Sequence, residues 1–108
     1  GASAQSKNDS LLNIWNNASL EDTTRLKALD ELCYNLYYRF PDSSSTYAET
    51  QLEFSKAIGS KKYRANALRT LGDIHDVKGE LSKAIEKYEQ ALELYKEIGN
   101  KRKLIKIQ

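Results

Sequence analysis

The sequence predicts an all-α protein built from stacked helical hairpins, and two observations carry this prediction. Apolar residues recur at helical spacing along most of the chain, as in the run Leu81, Ile85, Tyr88 and Leu92. Three glycines, each at the end of such a run, follow one another at intervals of 20 residues. No segment alternates apolar and polar residues over β-branched positions, so we expect no strands.

The N-terminal part is predicted to cap the hairpins that follow. Residues 1–8 are expected to be a flexible N-terminus, because Gly1-Ala2-Ser3 is typical of a cloning remnant, although Ala2-Ser3-Ala4 also fits a signal-peptidase site. Residues 9–18 carry Trp15 among apolar residues at helical spacing and are predicted to form a capping helix.

Three segments follow the capping helix. Residues 20–58 are predicted to form a first hairpin, in which Pro41 ends the first helix. Residues 60–98 are predicted to form a second hairpin, and residues 100–108 the beginning of another helix after a break at Gly99. The start signals agree, since Ser19 stands at capping-box spacing before the first hairpin.

The hairpins form an internal repeat. The segment from Ala57 to Lys62 and the segment from Glu97 to Arg102 match at a spacing of 40 residues. The pattern Ala28-Leu29-x-x-Leu32 returns as Ala67-Leu68-x-x-Leu71 at a spacing of 39 residues. Two helices in about 40 residues, joined by tight turns, indicate a helical solenoid.

The second hairpin resembles the tetratricopeptide repeat family. The pattern Leu68-x-x-Leu71-Gly72-x-x-His75, followed by Ala84-x-x-x-Tyr88-x-x-Ala91, matches the family pattern at its spacing. The departures are Leu68 for the usual tryptophan, His75 for the usual tyrosine and the absence of the closing proline. The first hairpin matches this pattern less well, with Ser44 and Gln51 at the positions of Ala84 and Ala91.

This resemblance implies a right-handed solenoid of antiparallel hairpins, here with an extra N-terminal helix and a truncated C-terminal helix. The repeat of about 40 residues, with its Ile-Gly-Asn-Lys type of turn, looks like a long variety found in bacterial signalling and regulatory proteins. In the family, the first helix of each hairpin lines a concave groove that binds a protein or peptide. The groove positions implied for this chain are Lys27, Asp30, Tyr34, Tyr37, Tyr38, Asn66, Arg69, Asp73 and Asp76.

A second surface is expected at the C-terminal end, where an apolar helix lacks its hairpin partner. We hypothesise that the chain forms a homodimer there, and the residues concerned are Leu92, Tyr95, Leu104, Ile105 and Ile107. The leading function is therefore a non-catalytic protein–protein interaction module from a larger bacterial signalling or regulatory protein. The alternative is an oligomerisation or spacer segment of a sensor protein such as a histidine kinase or nucleotide cyclase.

Residues that could support chemistry have simpler explanations. His75 is expected to be half-buried in the hairpin core, and Cys33 to be a structural residue in the small position of Gly72. Asp73 lies one helical turn from Arg69, which favours an ion pair over a paired-carboxylate catalytic site. We therefore expect no enzyme activity, no metal and no cofactor.

Composition limits the partners. The chain has 17 Lys+Arg against 15 Asp+Glu, which does not favour nucleic acid as a partner. No apolar run is long enough to insert into a membrane. A single cysteine excludes an internal disulfide, but it does not distinguish a cytoplasmic from a periplasmic location.

Overall fold

A computed structural model describes residues 2–107, and the side chains of residues 2–101. Within this range the elements are α1 (Ala2–Asn16), α2 (Asp22–Leu36), α3 (Pro41–Ile58), α4 (Lys61–Val77) and α5 (Leu81–Ile107). The described residues contain no strand, so the predicted all-α class is confirmed. None of these helices is both long enough and apolar enough to cross a membrane.

The turn between α3 and α4 follows from one glycine and one serine. Gly59 has a φ of 74°, a left-handed conformation that glycine adopts without steric cost. Its N–H donates to the carbonyl of Lys56 at 3.2 Å, and the Ser60 N–H donates to the carbonyl of Ser55 at 2.9 Å. These bonds are the Schellman pattern, which ends a helix and satisfies its last carbonyls. The Ser60 side chain then accepts from the Tyr63 N–H and caps α4.

The turn between α4 and α5 repeats the same geometry. Gly79 has a φ of 76°, and its N–H donates to the carbonyl of Asp76 at 3.0 Å. The Glu80 N–H donates to the carbonyl of His75 at 2.8 Å, which completes a second Schellman pattern. The breaks predicted at Gly59 and Gly79 therefore occur.

The helices stack in chain order into two antiparallel hairpins, α2–α3 and α4–α5. Each helix packs on the next, and α2 also contacts α4, so these two first helices lie side by side. The core is a run of small and branched apolar residues that includes Leu29, Leu32, Ala48, Leu68 and Leu71. Full burial of one leucine contributes about 1.5–3 kcal/mol before the loss of conformational entropy is counted.

The N-terminal helix covers the outer side of the first hairpin through Trp15. The Trp15 ring packs edge-on against Phe54 of α3, with centroids 5.1 Å apart. The Arg25 guanidinium lies 4.6 Å from the centre of the Trp15 ring, and its Nε donates to the Trp15 carbonyl at 2.8 Å. This cation–π contact and hydrogen bond attach the end of α1 to the start of α2.

The helix α1 begins at Ala2, so residues 2–8 are helical and do not form the flexible segment that was expected over residues 1–8. Two polar contacts explain the earlier start, because both attach this segment to α2. The Lys7 ammonium lies 3.1 Å from the Glu31 carboxylate, and the Asn35 side chain donates to Asn8 at 3.1 Å.

Two predicted helix boundaries are wrong. Ser19 does not cap α2, which begins at Asp22. Its N–H and hydroxyl instead donate to the Asn17 side chain in a local turn. At the other end, α5 continues through Gly99 instead of breaking there. Gly59 and Gly79 adopt the left-handed conformation, whereas Gly99 does not. At Gly99 continued intrahelical bonding outweighs the ~1 kcal/mol that glycine costs in a helix.

Candidate peptide-binding groove

The predicted groove residues lie on α2, on the turn that follows it and on α4, the two neighbouring first helices. The exposed members, which a ligand could reach, are Lys27, Tyr34, Tyr38, Arg69 and Asp76. The half-buried members are Asp30, Tyr37, Asn66 and Asp73. Asp30, Asn66 and Asp73 form hydrogen bonds with other helices, and Tyr37 packs against the core.

Asp30 is the centre of a hydrogen-bond network that joins four helices. One carboxylate oxygen accepts from the Gln51 amide of α3 at 2.9 Å, and the other accepts from Asn66 of α4 at 3.1 Å. The Gln51 amide also donates to the Tyr63 carbonyl at 3.0 Å, and the Tyr95 hydroxyl of α5 donates to the Asn66 side chain. Both oxygens of Asp30 therefore accept hydrogen bonds, and this half-buried carboxylate joins α2 to α3 and α4.

The network also affects nearby tyrosines. Burial raises the pKa of the Tyr63 hydroxyl, and the Asp30 charge raises it further. Burial likewise raises the pKa of Tyr95, with a smaller opposing effect from the positive charge of Arg69. Both phenols therefore stay protonated at neutral pH.

A second hydrogen bond, between Tyr88 and Asp73, joins α5 to α4. The Tyr88 hydroxyl donates to the Asp73 carboxylate at 2.5 Å. Burial, followed by this bond, raises the pKa of Tyr88. The expected ion pair between Arg69 and Asp73 does not occur among the described side chains. Tyr88 takes the carboxylate instead, and Arg69 extends into solvent.

Tyr34, Tyr37 and Tyr38 form one aromatic patch that continues past the end of α2. The helix α2 ends at Leu36, so only Tyr34 lies on it, whereas Tyr37 and Tyr38 lie in the turn that follows. The ring centroids of Tyr34 and Tyr37 are 5.5 Å apart, and those of Tyr37 and Tyr38 are 6.4 Å apart. Tyr34 is 57% exposed and Tyr38 is 71% exposed, while Tyr37 packs against the core.

An alternative contact of these tyrosines is excluded within the described residues. Tyr37 or Tyr38 could have packed beneath the N-terminal helix with Trp15. The Trp15 ring is instead in contact with Phe54 and Arg25. The Trp15 ring is therefore not part of this aromatic patch, whose two exposed rings, Tyr34 and Tyr38, offer a large contact area with few rotatable bonds.

The residues weighed for chemistry have structural roles. His75 is half-buried, and its Nδ1 lies 3.1 Å from the Glu80 carboxylate. Cys33 is fully buried, and burial, with a smaller effect from Asp30, raises the pKa of its thiol to about 12. A thiol with this pKa is almost entirely protonated at neutral pH and is a poor nucleophile. Among the described residues, no group of three or more His, Cys, Asp or Glu could hold a metal ion.

Sequence reasoning missed a cleft where α1 meets the first hairpin. It has a volume of about 630 Å³ and is lined by apolar side chains of three helices, such as Leu12, Leu32 and Tyr47, and by polar ones, such as Asn8 and Asn35. Phe40, at the end of the turn after α2, stands at its edge and is 57% exposed. The only available signal was a large aromatic residue directly before Pro41.

The predicted self-association residues are only partly described. Leu92 is 53% exposed on α5, which suits an interface residue. Tyr95 is half-buried, and its hydroxyl donates to the Asn66 side chain, so it packs within the second hairpin. The side chains of Leu104, Ile105 and Ile107 lie outside the described residues.

Comparison with known families identifies the second hairpin. Residues 65–98 match the family model described as tetratricopeptide repeat. The match begins within α4 and ends at Ile98 within α5. This segment is a tetratricopeptide repeat. No curated protein and no solved structure gives a significant match to the chain.

The tetratricopeptide positions are accounted for by packing. Leu68, Leu71, Ala84 and Ala91 are buried, and a Cβ at Gly72 would lie 2.6 Å from the Tyr88 ring. The glycine is therefore required so that Tyr88 can enter between α4 and α5. Tetratricopeptide repeats are in general non-catalytic and serve protein–protein interaction. The family pattern thus describes the packing of the two helices and does not by itself assign a ligand.

Proposed function

We propose that this chain is a non-catalytic module that binds an extended or helical peptide along the face shared by α2 and α4. The observation that carries the proposal is the arrangement of Tyr34, Tyr38 and Arg69. These exposed side chains stand on a floor fixed by hydrogen bonds between helices. Tyrosine and arginine are the residue types that most often dominate binding energy, and a rigid floor lowers the entropy cost of binding.

The charges of the groove indicate the polarity of the ligand. Asp73 and Asp76 lie towards the C-terminal end of α4, near Tyr37 and Tyr88. Lys27 and Arg69 lie farther towards the N-terminal ends of their helices. A peptide with a basic residue at the aromatic end and an acidic residue at the other would complement both.

The test uses peptides selected from a phage-displayed random library on the intact chain. Affinities are then measured by calorimetry for the wild type and for Tyr34→Ala and Arg69→Ala. We expect each substitution to weaken binding by tenfold or more, which is about 1.4 kcal/mol. Phe40→Ala is the matched aromatic control, since Phe40 is equally exposed but borders the cleft beside α1.

Two results would count against the groove. Selection that yields no peptide above background would argue against peptide capture altogether. Peptides that tolerate Tyr34→Ala and Arg69→Ala but lose affinity with Phe40→Ala would move the site to the cleft.

We also propose that the chain has no enzyme activity. The buried Cys33 thiol is unreactive, and the Asp30 and Asp73 carboxylates already accept hydrogen bonds from neighbouring helices. The length of the repeat supports a place in a larger bacterial signalling or regulatory protein, in either the cytoplasm or the periplasm.

A second candidate function is self-association, as in a spacer or oligomerisation segment of a sensor protein. It is favoured by an exposed apolar face on α5, formed by Leu81, Ile85 and Leu92. Sedimentation equilibrium of the wild type tests it directly. A monomer from micromolar to millimolar concentration would rule this candidate out and leave the groove proposal unaffected.

A further inference from the structure

The cleft beside α1 is a second concave surface, separate from the groove on α2 and α4. It has a volume of about 630 Å³ and is lined by residues of α1, α2 and α3 and of the turn after α2. None of the candidate groove residues is among them. A cavity of this size that combines an apolar lining with a few polar groups is typical of a binding site for a small molecule.

Contacts between α1 and α2 fix the order of residues along the cleft. The Arg25 side chain, near the start of α2, donates to the Trp15 carbonyl near the end of α1. The Asn35 side chain, near the end of α2, donates to Asn8 in the first half of α1 at 3.1 Å. The two helices are therefore antiparallel, and distances along the cleft follow from the helical rise of about 1.5 Å per residue.

The pair of Asn8 and Asn35 leaves hydrogen-bonding groups available in the cleft, which both residues line. The Asn8 side-chain oxygen accepts from the Asn35 amide nitrogen. The amide nitrogen of Asn8 and the side-chain oxygen of Asn35 form no side-chain hydrogen bond among the described residues. One available donor thus stands beside one available acceptor. An amide group in a ligand offers the complementary acceptor and donor.

Two opposite charges flank this amide pair. Asp9 follows Asn8 on α1, and Arg39 lies four residues after Asn35, in the turn between α2 and α3. Both line the cleft and both are exposed. Neither joins an ion pair among the side chains of residues 2–101. The helical rise places their α carbons about 7 Å apart along the cleft.

We propose that the cleft binds a free dipeptide with apolar side chains. Its ammonium group pairs with Asp9, its carboxylate pairs with Arg39, and its single amide bonds to Asn8 and Asn35. The length agrees, because an extended chain spans at most about 3.3–3.6 Å per residue and two residues therefore cover about 7 Å. A single amino acid has no amide and is too short to reach both charges.

The apolar lining accepts the two side chains of the ligand. Leu12 and Leu32 lie about one helical turn beyond the amide pair, on the side away from Arg39, and contact the first side chain. Leu36 and Phe40 lie towards Arg39 and contact the second. The Phe40 ring is 57% exposed, so an aromatic second residue can pack against it. The two charges of the cleft cancel, which favours a zwitterion over an ion of either sign.

The test uses the dipeptide leucyl-phenylalanine and the intact chain. Two-dimensional amide NMR spectra recorded during a titration locate the site, and the largest shifts should occur at the side-chain amides of Asn8 and Asn35. We expect a dissociation constant on the order of 0.1 mM, because a ligand with so few atoms makes few contacts. The N-acetylated and the C-amidated dipeptide each lack one charge, and each should bind about fivefold more weakly.

Two charge variants assign the ends of the ligand. Asp9→Asn should weaken binding of the free dipeptide about fivefold and leave that of the N-acetylated form unchanged. Arg39→Gln should weaken binding of the free dipeptide equally and leave that of the amidated form unchanged. Glu86→Gln, which removes an exposed charge on α5, is the matched control and should alter none of these affinities.

Three results would refute this site. An absence of shifts up to millimolar dipeptide would do so and leave the peptide groove unaffected, because the two sites share no residue. Shifts centred on Tyr34 and Arg69 would move the dipeptide to the groove. Equal binding of the free and the blocked dipeptides would exclude the pairing with Asp9 and Arg39, and with it the recognition of a zwitterion.

Discussion

The two hairpins are built on one plan, yet they fill the space between their helices in opposite ways. In the first hairpin a thiol, Cys33, stands on α2, and a methyl group, Ala48, stands on α3. In the second hairpin the equivalent of Cys33 is Gly72, which has no side chain, and the equivalent of Ala48 is the large ring of Tyr88. Volume removed from one helix is supplied by the other. A match to the repeat pattern therefore cannot be judged position by position, because the positions compensate in pairs.

A second difference concerns what lies outside each hairpin. Leu52 on α3 and Leu92 on α5 occupy equivalent positions, 40 residues apart. Leu52 is 6% exposed because α4 packs against α3, whereas Leu92 is 53% exposed. The same residue type at the same position is thus a core residue in one hairpin and a surface residue in the other.

The largest expected effect is the difference in the free energy of unfolding between alanine substitutions of Leu52 and Leu92. Leu52→Ala should lower the free energy of unfolding by about 2–4 kcal/mol, because it leaves a cavity beneath α4. Leu92→Ala should change it by less than about 0.5 kcal/mol. Urea denaturation at low protein concentration, where any dimer has dissociated, measures both. Equal losses would mean that Leu92 is covered.

The next effect tests the exchange of volume between the helices. Gly72→Ala should destabilise the chain by about 1–3 kcal/mol, because the added methyl meets the Tyr88 ring. In a Tyr88→Ala background the same change should become stabilising by up to about 1 kcal/mol, since alanine is the better helix former. A thermal unfolding cycle over the four proteins gives the coupling. If Gly72→Ala remained destabilising in the Tyr88→Ala background, the Tyr88 ring would not be the reason why glycine is required at position 72.

The two hairpins also differ at one buried position, which carries an amide side chain in the first hairpin and a methyl group in the second. Gln51 of the first hairpin bonds to Asp30, while its equivalent in the second, Ala91, makes no side-chain hydrogen bond. Asp30→Ala should cost about 1.5–3 kcal/mol, because it removes the acceptor of the Asn66 amide and one of the two acceptors of the Gln51 amide. Asp30→Asn, which keeps one acceptor oxygen, should cost less. Chemical denaturation that ranks the two variants in the opposite order would contradict the network.

The smallest expected effect is a pH dependence of stability, and it arises from a difference between the residues that follow the two glycine turns. Ser60 after Gly59 is neutral, whereas Glu80 after Gly79 is ionisable, and bonds to His75 and then to Lys83 hold its pKa below the usual 4.5. A carboxyl whose pKa is lowered by folding stabilises the protein above its unfolded pKa and loses that contribution as the pH falls towards the folded value. The melting temperature of the wild type should therefore decline more steeply below about pH 5 than that of Glu80→Gln. Parallel curves for the two proteins would contradict this assignment.

Prediction from the sequence was correct where a feature depends on residues adjacent in the chain, and it failed where the feature depends on contacts between distant residues. The turns at Gly59 and Gly79 depend on residues adjacent in the chain, and they were predicted correctly. The break predicted at Gly99 was wrong, because α5 continues through this residue and a glycine permits a turn without requiring one. The same local sequence, Ile-Gly followed by a polar residue and lysine, therefore gave a turn at one place and a continuous helix at the other.

The placement of α2 beside α4 was predictable, whereas the contacts of the candidate groove residues were not. The repeat pattern assigned the predicted residues to the first helices of the hairpins, and α2 and α4 indeed lie side by side. It did not reveal which of these residues remain available to a ligand. Asp30 and Asp73 are held by Gln51, Asn66 and Tyr88 from neighbouring helices, and such contacts depend on interhelical distances that one sequence does not specify.

The buried position of Cys33 has a practical consequence for the energetics of the fold. It is the single cysteine of the chain, so a thiol reagent can modify the protein at this side chain alone. The reagent reaches the sulfur only when α2 and α3 separate, and its rate of reaction therefore reports how often that separation occurs. Labelling in increasing denaturant would show whether the first hairpin opens independently or only together with the second. The chain thus contains its own probe of cooperativity between its hairpins.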